Sequence, residues 1–333
     1  MRRTSLAIAV FSSCCFGFSG PMAKFLGAAG FTPLEAVWVR MAASAVLLLA
    51  ILALVRPRAL RIPRARIGLV AAYALLAIAG VQALYFVAIT RIPVGVALLI
   101  EFTAPVLVVA WVRLVRRIRP GRAAYLGALI TVAGLAVVVE VWQGLRLDAL
   151  GLLAAFGAAA GCAGYFLLSD GFGDEMDPLG LIAWGFAGAT VVLAPLSRPW
   201  DIPWSALGGS ATVGGTTLPA YAAAAVLIVV ATVLAYITGV TAVRRLSAAV
   251  GSTVASLEVI AGTVIAWVLL GETLGPLQIA GGAVVIAGAL LAQTAARGTR
   301  RDGRPGGDAG GAAPAGPDRP LAGAAPAAGG ADT

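Results

Sequence analysis

Apolar runs long enough to cross a bilayer recur almost end to end in this chain, and that recurrence constrains the fold more than any single motif. A helix rises about 1.5 Å per residue and a hydrocarbon core is about 30 Å thick, so one span needs about 20 predominantly apolar residues. Windows of that size lie between charged or Pro/Gly-rich breaks at 5–27, 33–55, 67–89, 93–115, 123–142, 149–169, 178–197, 218–240, 247–270 and 277–296. None has the in/out alternation of a membrane β-barrel, and an open strand edge cannot sit in lipid. The expected fold class is therefore all-α, a polytopic membrane protein with ten transmembrane helices.

The net charge of +9 invites a nucleic-acid partner, but the placement of the cations argues against one. With the N-terminus inside, every one of the 24 Lys and Arg residues except Lys24, Arg40, Arg91, Arg146 and Arg198 falls on the inward side. The positive-inside rule thus predicts cytoplasmic N- and C-termini and an even number of spans. The inward loop SDGFGDEMDP (169–178) has no basic residue, although acidic residues count little in that rule. The opening MRRTSLAIAVFSSCC is read as a retained helix rather than a signal, because its apolar run continues past the cysteines without a small-residue cleavage site. Residues 297–333, rich in Gly, Ala and Pro, read as a disordered cytoplasmic tail. Cys14, Cys15 and Cys162 fall inside predicted spans and read as packing residues, and with no histidine in the chain no metal site is expected.

The chain repeats loosely after five helices. Glu101 precedes Trp111 and LGALITVAG (126–134); Glu258 precedes Trp267 and IAGGAVVIAG (279–288). Gly127 and Gly134 are seven residues apart, as are Gly281 and Gly288, so each pair occupies one helix face where another helix can approach closely. Residues 1–145 and 146–296 are therefore read as two five-helix repeats. Because five is odd, the second repeat enters the membrane inverted, and inverted repeats build transporters whose substrate site lies near the midplane. Small-residue stripes such as GAAAG (157–161) leave room for a homodimer.

Glu101 and Glu258 each sit in the middle of an apolar span, where a charged residue costs about 2.5 to 3.5 kcal/mol to insert, so both should face a partner or a wet cavity rather than lipid. Pro105 removes the hydrogen bond to the Glu101 carbonyl and should kink the helix beside Thr103. Gly262 stands in the corresponding place after Glu258, with Thr253 and Ser256 nearby. Carboxyl groups that gain and lose a proton inside the membrane are what proton coupling requires, so the candidate coupling ion is the proton. The alternative is two structural glutamates held by hydrogen bonds or an arginine.

Lys24 and Arg40, near the outer ends of the first two helices, could be brought together by the short connection between them to receive a carboxylate; the alternative is interfacial snorkelling. Tyr85, Tyr165 and Tyr236 could line a cavity or simply pack. Trp200 and Trp204 read as interface anchors, and Glu272 as a solvated or capping residue.

The stretches GVQALYFVAITRIPVGVALLIEFTAP (80–105) and ASLEVIAGTVIAWVLLGETLGPLQIAGGAVVIAG (255–288), with AKFLGAAG (23–30) and VWVRMAASAVLLLA (37–50), resemble the EamA branch of the drug/metabolite transporter superfamily. Within it, RIPVGVALLIEFTAP is most similar to bacterial threonine and homoserine exporters. The resemblance implies a proton-driven exporter of small amino acids or related metabolites in the bacterial inner membrane. It places Lys24, Arg40, Glu101 and Glu258 at the polar positions of that group. Two departures stand out: Val259 follows Glu258 where a proline is common, and the counterpart of Gly271 and Glu272 in the first half is an arginine run.

Three other functions compete. Efflux of lipophilic drugs, or transport of a sugar-linked lipid or nucleotide, would need an apolar cavity and little from Lys24 and Arg40. An enzyme is not expected, since the chain has no HExxH, Walker A or GxSxG motif and no histidine to serve as general base, and no cofactor is implied. A receptor or scaffold would act through the tail or the acidic loop.

Overall fold

The computed structural model describes residues 2–115, 117, 121–138, 147–172, 176–245 and 257–302. Six helical segments are long and apolar enough to cross a membrane: α1 (Leu6–Ala28), α2 (Pro33–Val55), α3 (Arg64–Ile89), α4 (Val94–Leu114), α7 (Pro178–Ser197) and α8 (Ala220–Thr241). Four apolar helices are shorter within the described residues: α5 (Arg122–Val138), α6 (Ala149–Gly164, its backbone continuing to Phe172), α9 (Leu257–Leu270) and α10 (Pro276–Ala292, continuing to Asp302). The helix thus runs past residue 296, where the tail was expected to begin. Ser256, the centre of the acidic loop and residues 303–333 lie outside the described residues.

Local sequence explains the helix starts. Thr32 caps α2 through a reciprocal capping box: its hydroxyl accepts from the Glu35 amide at 3.3 Å and the Glu35 carboxylate accepts from the Thr32 amide at 2.7 Å. Asp177 caps α7 by accepting from the Leu179 amide at 2.9 Å, with Pro178 in the first turn. Between α7 and α8 the chain forms a feature absent from the all-α expectation, a hairpin of β1 (Ser210–Val213) and β2 (Thr216–Pro219). Its two-residue turn is Gly214 and Gly215, at φ +57° and +83°, the paired positive angles a type I′ turn requires.

The helices pack as first-half elements on second-half elements. α5 lies along α10, α2 against α7, and α4 against α9; α1 packs on α8 and α9, α6 packs on α3 and α4, α2 touches α8 and α7 touches α3. Within these nine pairs, replacing every helix by the one five places away returns the same pairs, whereas the packing of α4 on α10 has no equally extensive counterpart between α9 and α5 among the described residues. The two glycine pairs meet in the α5/α10 seam. A Cβ on Gly134 would fall 2.7 Å from the Val285 amide nitrogen, and one on Gly127 would fall 2.4 Å from the Ala292 amide nitrogen, so the helices run antiparallel with backbones nearly touching. α3 and α8 share a rarer feature, a π-helical stretch at Tyr73–Gly80 and at Val226–Leu234.

Packing inside is tight around Phe25, Leu48, Phe86, Ile100, Phe186 and Leu227, all essentially inaccessible. On the outside, Leu54, Leu114 and Val191 are 86%, 74% and 73% exposed, a surface suited to hydrocarbon rather than water.

Candidate functional site

α4 is two helices in series. Val94–Glu101 ends at Glu101, Phe102 and Thr103 form a turn, and Ala104–Leu114 restarts with Pro105 in its first turn. The buried Thr103 hydroxyl donates to the Ile100 carbonyl at 2.7 Å, and the Thr103 amide donates to the same oxygen at 2.9 Å. Four residues after Glu101, Pro105 has no amide hydrogen to offer the Glu101 carbonyl. The half-buried Glu101 side chain therefore stands at an interruption of the helix.

Glu258 lies in the first described turn of α9, also half-buried. α9 is clamped just beyond it, because a Cβ on Gly262 would meet Leu98 of α4 at 2.6 Å and one on Gly17 of α1 would meet the Gly262 amide at 2.8 Å. Glu101 and Glu258 lie within electrostatic reach of each other and of Arg40. Neither carboxylate has a hydrogen-bond or ion-pair partner among the described residues.

Arg40 is 2% exposed and holds fixed partners from two other helices. Its Nε donates to Thr232 Oγ1 of α8 at 2.8 Å, its Nη1 donates to Gln82 Oε1 of α3 at 2.6 Å, and its guanidinium lies 5.6 Å from the Phe86 ring centre. The Thr232 hydroxyl in turn donates to the Leu227 carbonyl, five residues back, at 2.7 Å, the spacing of the π-helical stretch it occupies. The α8 distortion thus helps aim the acceptor at Arg40. Buried Tyr85 and half-buried Tyr236 are electrostatic neighbours of the guanidinium, and Tyr236 stacks edge-on to Phe16 and Phe186 at 4.9 and 5.3 Å. Side-chain contacts of Tyr165 lie outside the described residues.

Lys24 is not part of this cluster. It pairs with Glu272, whose second oxygen accepts from the Val94 amide at the start of α4 at 2.9 Å. Gly271 makes this reach feasible: at φ +68° it caps α9 in the left-handed conformation, donates to the Trp267 carbonyl at 3.1 Å, and turns the chain back toward α1 and α4. Lys24 and Arg40 thus hold different partners, Lys24 the carboxylate of Glu272 and Arg40 the side chains of Thr232 and Gln82, with Arg40 about two turns inside the capped start of α2.

Glu101, Glu258 and Tyr85 thus lie within electrostatic reach of Arg40, Lys24 is paired with Glu272 instead, and the Thr103 hydroxyl is committed to its own helix. Sequence reasoning passed over Gln82 and Thr232, although each is a polar residue inside an apolar span, and it left Glu272 as a solvated or capping group. Glu272 does cap a helix, but not the one it adjoins. The cysteines are free.

A second feature is a cavity of about 520 Å³ between α4, α9 and α10, walled by Leu99, Val259, Val264 and Gly282, with Trp267 and Ile279 at its exposed margin and Glu272 and Gln278 as polar lining groups.

Among curated proteins, the uncharacterized transporter YwfM of Bacillus subtilis is 27% identical over 222 residues, 65% of this chain and 70% of that protein. The threonine/homoserine exporter RhtA of Salmonella typhimurium is 29% identical over 216 residues, 65% of this chain and 68% of that protein. The crystal structure of one protein aligns with a TM-score of 0.59 at 19% identity, covering 90% of this chain and 99% of that one, a likeness of fold. The EamA-like transporter family matches residues 3–140 and again 149–294, so its repeat is present twice. This chain belongs to the EamA-like transporter family, and it is a membrane protein.

Proposed function

We propose that the chain is a proton-driven exporter of small amino acids or related metabolites, built as ten spans in two inverted repeats, residues 1–145 and 146–296, that move by alternating access. The nine packed pairs that a five-helix shift preserves, the antiparallel α5/α10 seam and the matching π-helical stretches of α3 and α8 support the repeat. The charge distribution supports N- and C-termini in the cytoplasm of a bacterium, with the remaining tail outside the transport machinery.

One observation carries the functional reading. Two half-buried carboxylates, one from α4 and one from α9, lie within electrostatic reach of a buried Arg40 without forming an ion pair among the described residues. Two negative groups and one positive group can stay neutral overall when one carboxyl carries a proton, and that proton is exchangeable for a cationic group such as a substrate ammonium. Distant similarity to RhtA points to threonine and homoserine as the first substrates to try.

The test is uptake of labelled threonine and homoserine into inside-out vesicles under an imposed proton gradient, with Glu101→Gln as the comparison. Gradient-driven uptake lost in the variant, with insertion intact, supports the reading; equal uptake by both makes Glu101 structural. The apolar cavity beside α9 favours a second reading, efflux of lipophilic compounds. In that case such compounds, and not amino acids, are transported, and Arg40→Gln leaves their flux unchanged.

A further inference from the structure

The Lys24 and Glu272 pair ties three elements at one end of the bundle: the end of α1, the turn between α9 and α10, and the first amide of α4. Its side chains are only 21% and 18% exposed, against 42% and 40% for Arg91 and Asp148, which form an ordinary surface pair at 3.4 Å. Shielding from water makes the first pair the stronger tie, since exposed pairs are screened.

The tie lies close to Tyr85 of the central cluster. One turn before Lys24, a Cβ on Gly20 would fall 2.8 Å from the Tyr85 hydroxyl and 2.5 Å from Val94 Cγ1, so the chain closes over Tyr85 with no space to spare. Tyr85 has Glu101, Glu258 and Glu272 within its electrostatic reach and thereby links the cluster to the tie. The hairpin adds a brace, because Gly214 at its tip packs on the Leu270 carbonyl at the end of α9.

We propose that Lys24 and Glu272 form a latch that closes the outer end of the transport pathway, and that α1 must part from the α9/α10 turn before substrate can leave. This rests on the transporter reading and on its orientation, which puts these helix ends outside. The corresponding connection between α4 and α5, RLVRRIRPGR (113–122), carries no carboxylate in its sequence, and at the opposite end of the bundle a different pair, Arg56 and Asp177 at 3.8 Å, joins α2 to α7.

The experiment needs no substrate. Gly27 at the end of α1 and Gly275 in the α9/α10 turn have open space where a Cβ would stand, so each accepts a cysteine and a spin label once Cys14, Cys15 and Cys162 are replaced. Label-to-label distances are measured in lipid nanodiscs for the native latch, Glu272→Gln, Lys24→Met and Arg91→Met. Both latch variants should add a longer-distance population, and Arg91→Met should not. Lys24→Met leaves the Glu272 contact with Val94 in place, so it reports on the latch even where Glu272→Gln unsettles α4. Unchanged distances in both latch variants overturn the proposal however well the protein transports amino acids. A shift in a protein that moves no amino acid retains the latch and sinks only the substrate reading.

Discussion

Gly134 and Gly281 block one another reciprocally: a Cβ added to either would fall 2.9 Å from the carbonyl oxygen of the other. Gly127 and Gly288 repeat the relation at 2.7 and 2.8 Å, so α5 and α10 meet about a local two-fold axis. In a bilayer, where burial of apolar surface drives little, backbone approach of this kind holds helices together. Gly134→Leu and Gly281→Leu should each lower stability by about 1–3 kcal/mol or more, the cost of overpacking. Thermal unfolding in detergent is the check, with Gly27→Ala and Gly275→Ala expected to leave the midpoint near native because nothing lies within 4 Å of their added methyl groups.

Arg40 spans α2, α3 and α8 through Gln82 and Thr232. Thr232→Val keeps the shape but leaves the buried Nε donor unsatisfied, which should cost about 1–3 kcal/mol. Arg40→Met should be worse for transport than for folding, because it removes the only cation facing Glu101 and Glu258 among the described residues. Initial uptake rates and unfolding midpoints of the two variants should therefore diverge. Equal losses of both quantities would reduce Arg40 to a structural post.

How much of this was legible beforehand follows the range of the interactions. The seven-residue glycine spacing announced close helix contact, since it depends only on helix geometry, but which helices would meet was not written in either pair. The kink residues around Glu101 are neighbours in sequence, whereas Lys24 and Glu272 are 248 residues apart, and no local pattern joins them. The depth of Arg40 depended on where Thr32 caps α2. The hairpin had a local signal, two glycines between short Thr- and Val-containing strands, masked by the surrounding apolar helices.

Gly214 couples two constraints in one residue. Its φ of +57° disfavours any side chain, and a Cβ there would fall 2.0 Å from the Leu270 carbonyl oxygen. Gly214→Val should therefore undock the hairpin from α9, whereas Gly215→Asn, at φ +83° with open space around it, should be tolerated. Limited proteolysis of the 210–219 segment is the readout, with faster cleavage expected only in Gly214→Val.

Asp148 makes two contacts of unequal weight. Its Oδ1 caps α6 by accepting from the Gly151 amide at 2.7 Å, and its Oδ2 meets Arg91 at 3.4 Å in an exposed pair. Asp148→Ala should cost about 1 kcal/mol through the lost cap. Arg91→Met should cost under about 0.5 kcal/mol. Asp148→Asn, which retains a capping oxygen, should behave like the arginine variant when unfolding midpoints are compared.

Pro105 separates stability from motion most directly. Replacing it with alanine supplies the amide that the Glu101 carbonyl lacks and removes the ring that keeps the two parts of α4 from running as one helix. A continuous α4 should be at least as stable as the native helix, because the new hydrogen bond adds about 0.5–1.5 kcal/mol against any local repacking. It should also carry the Glu101 side chain away from its present place at the end of a helix, since the turn at Phe102 and Thr103 would become helical. The expected outcome of Pro105→Ala is an unfolding midpoint equal to or above native together with slower gradient-driven uptake. A variant that transports at the native rate would mean that the interruption of α4 is dispensable and that Glu101 acts, if at all, from an ordinary helical position.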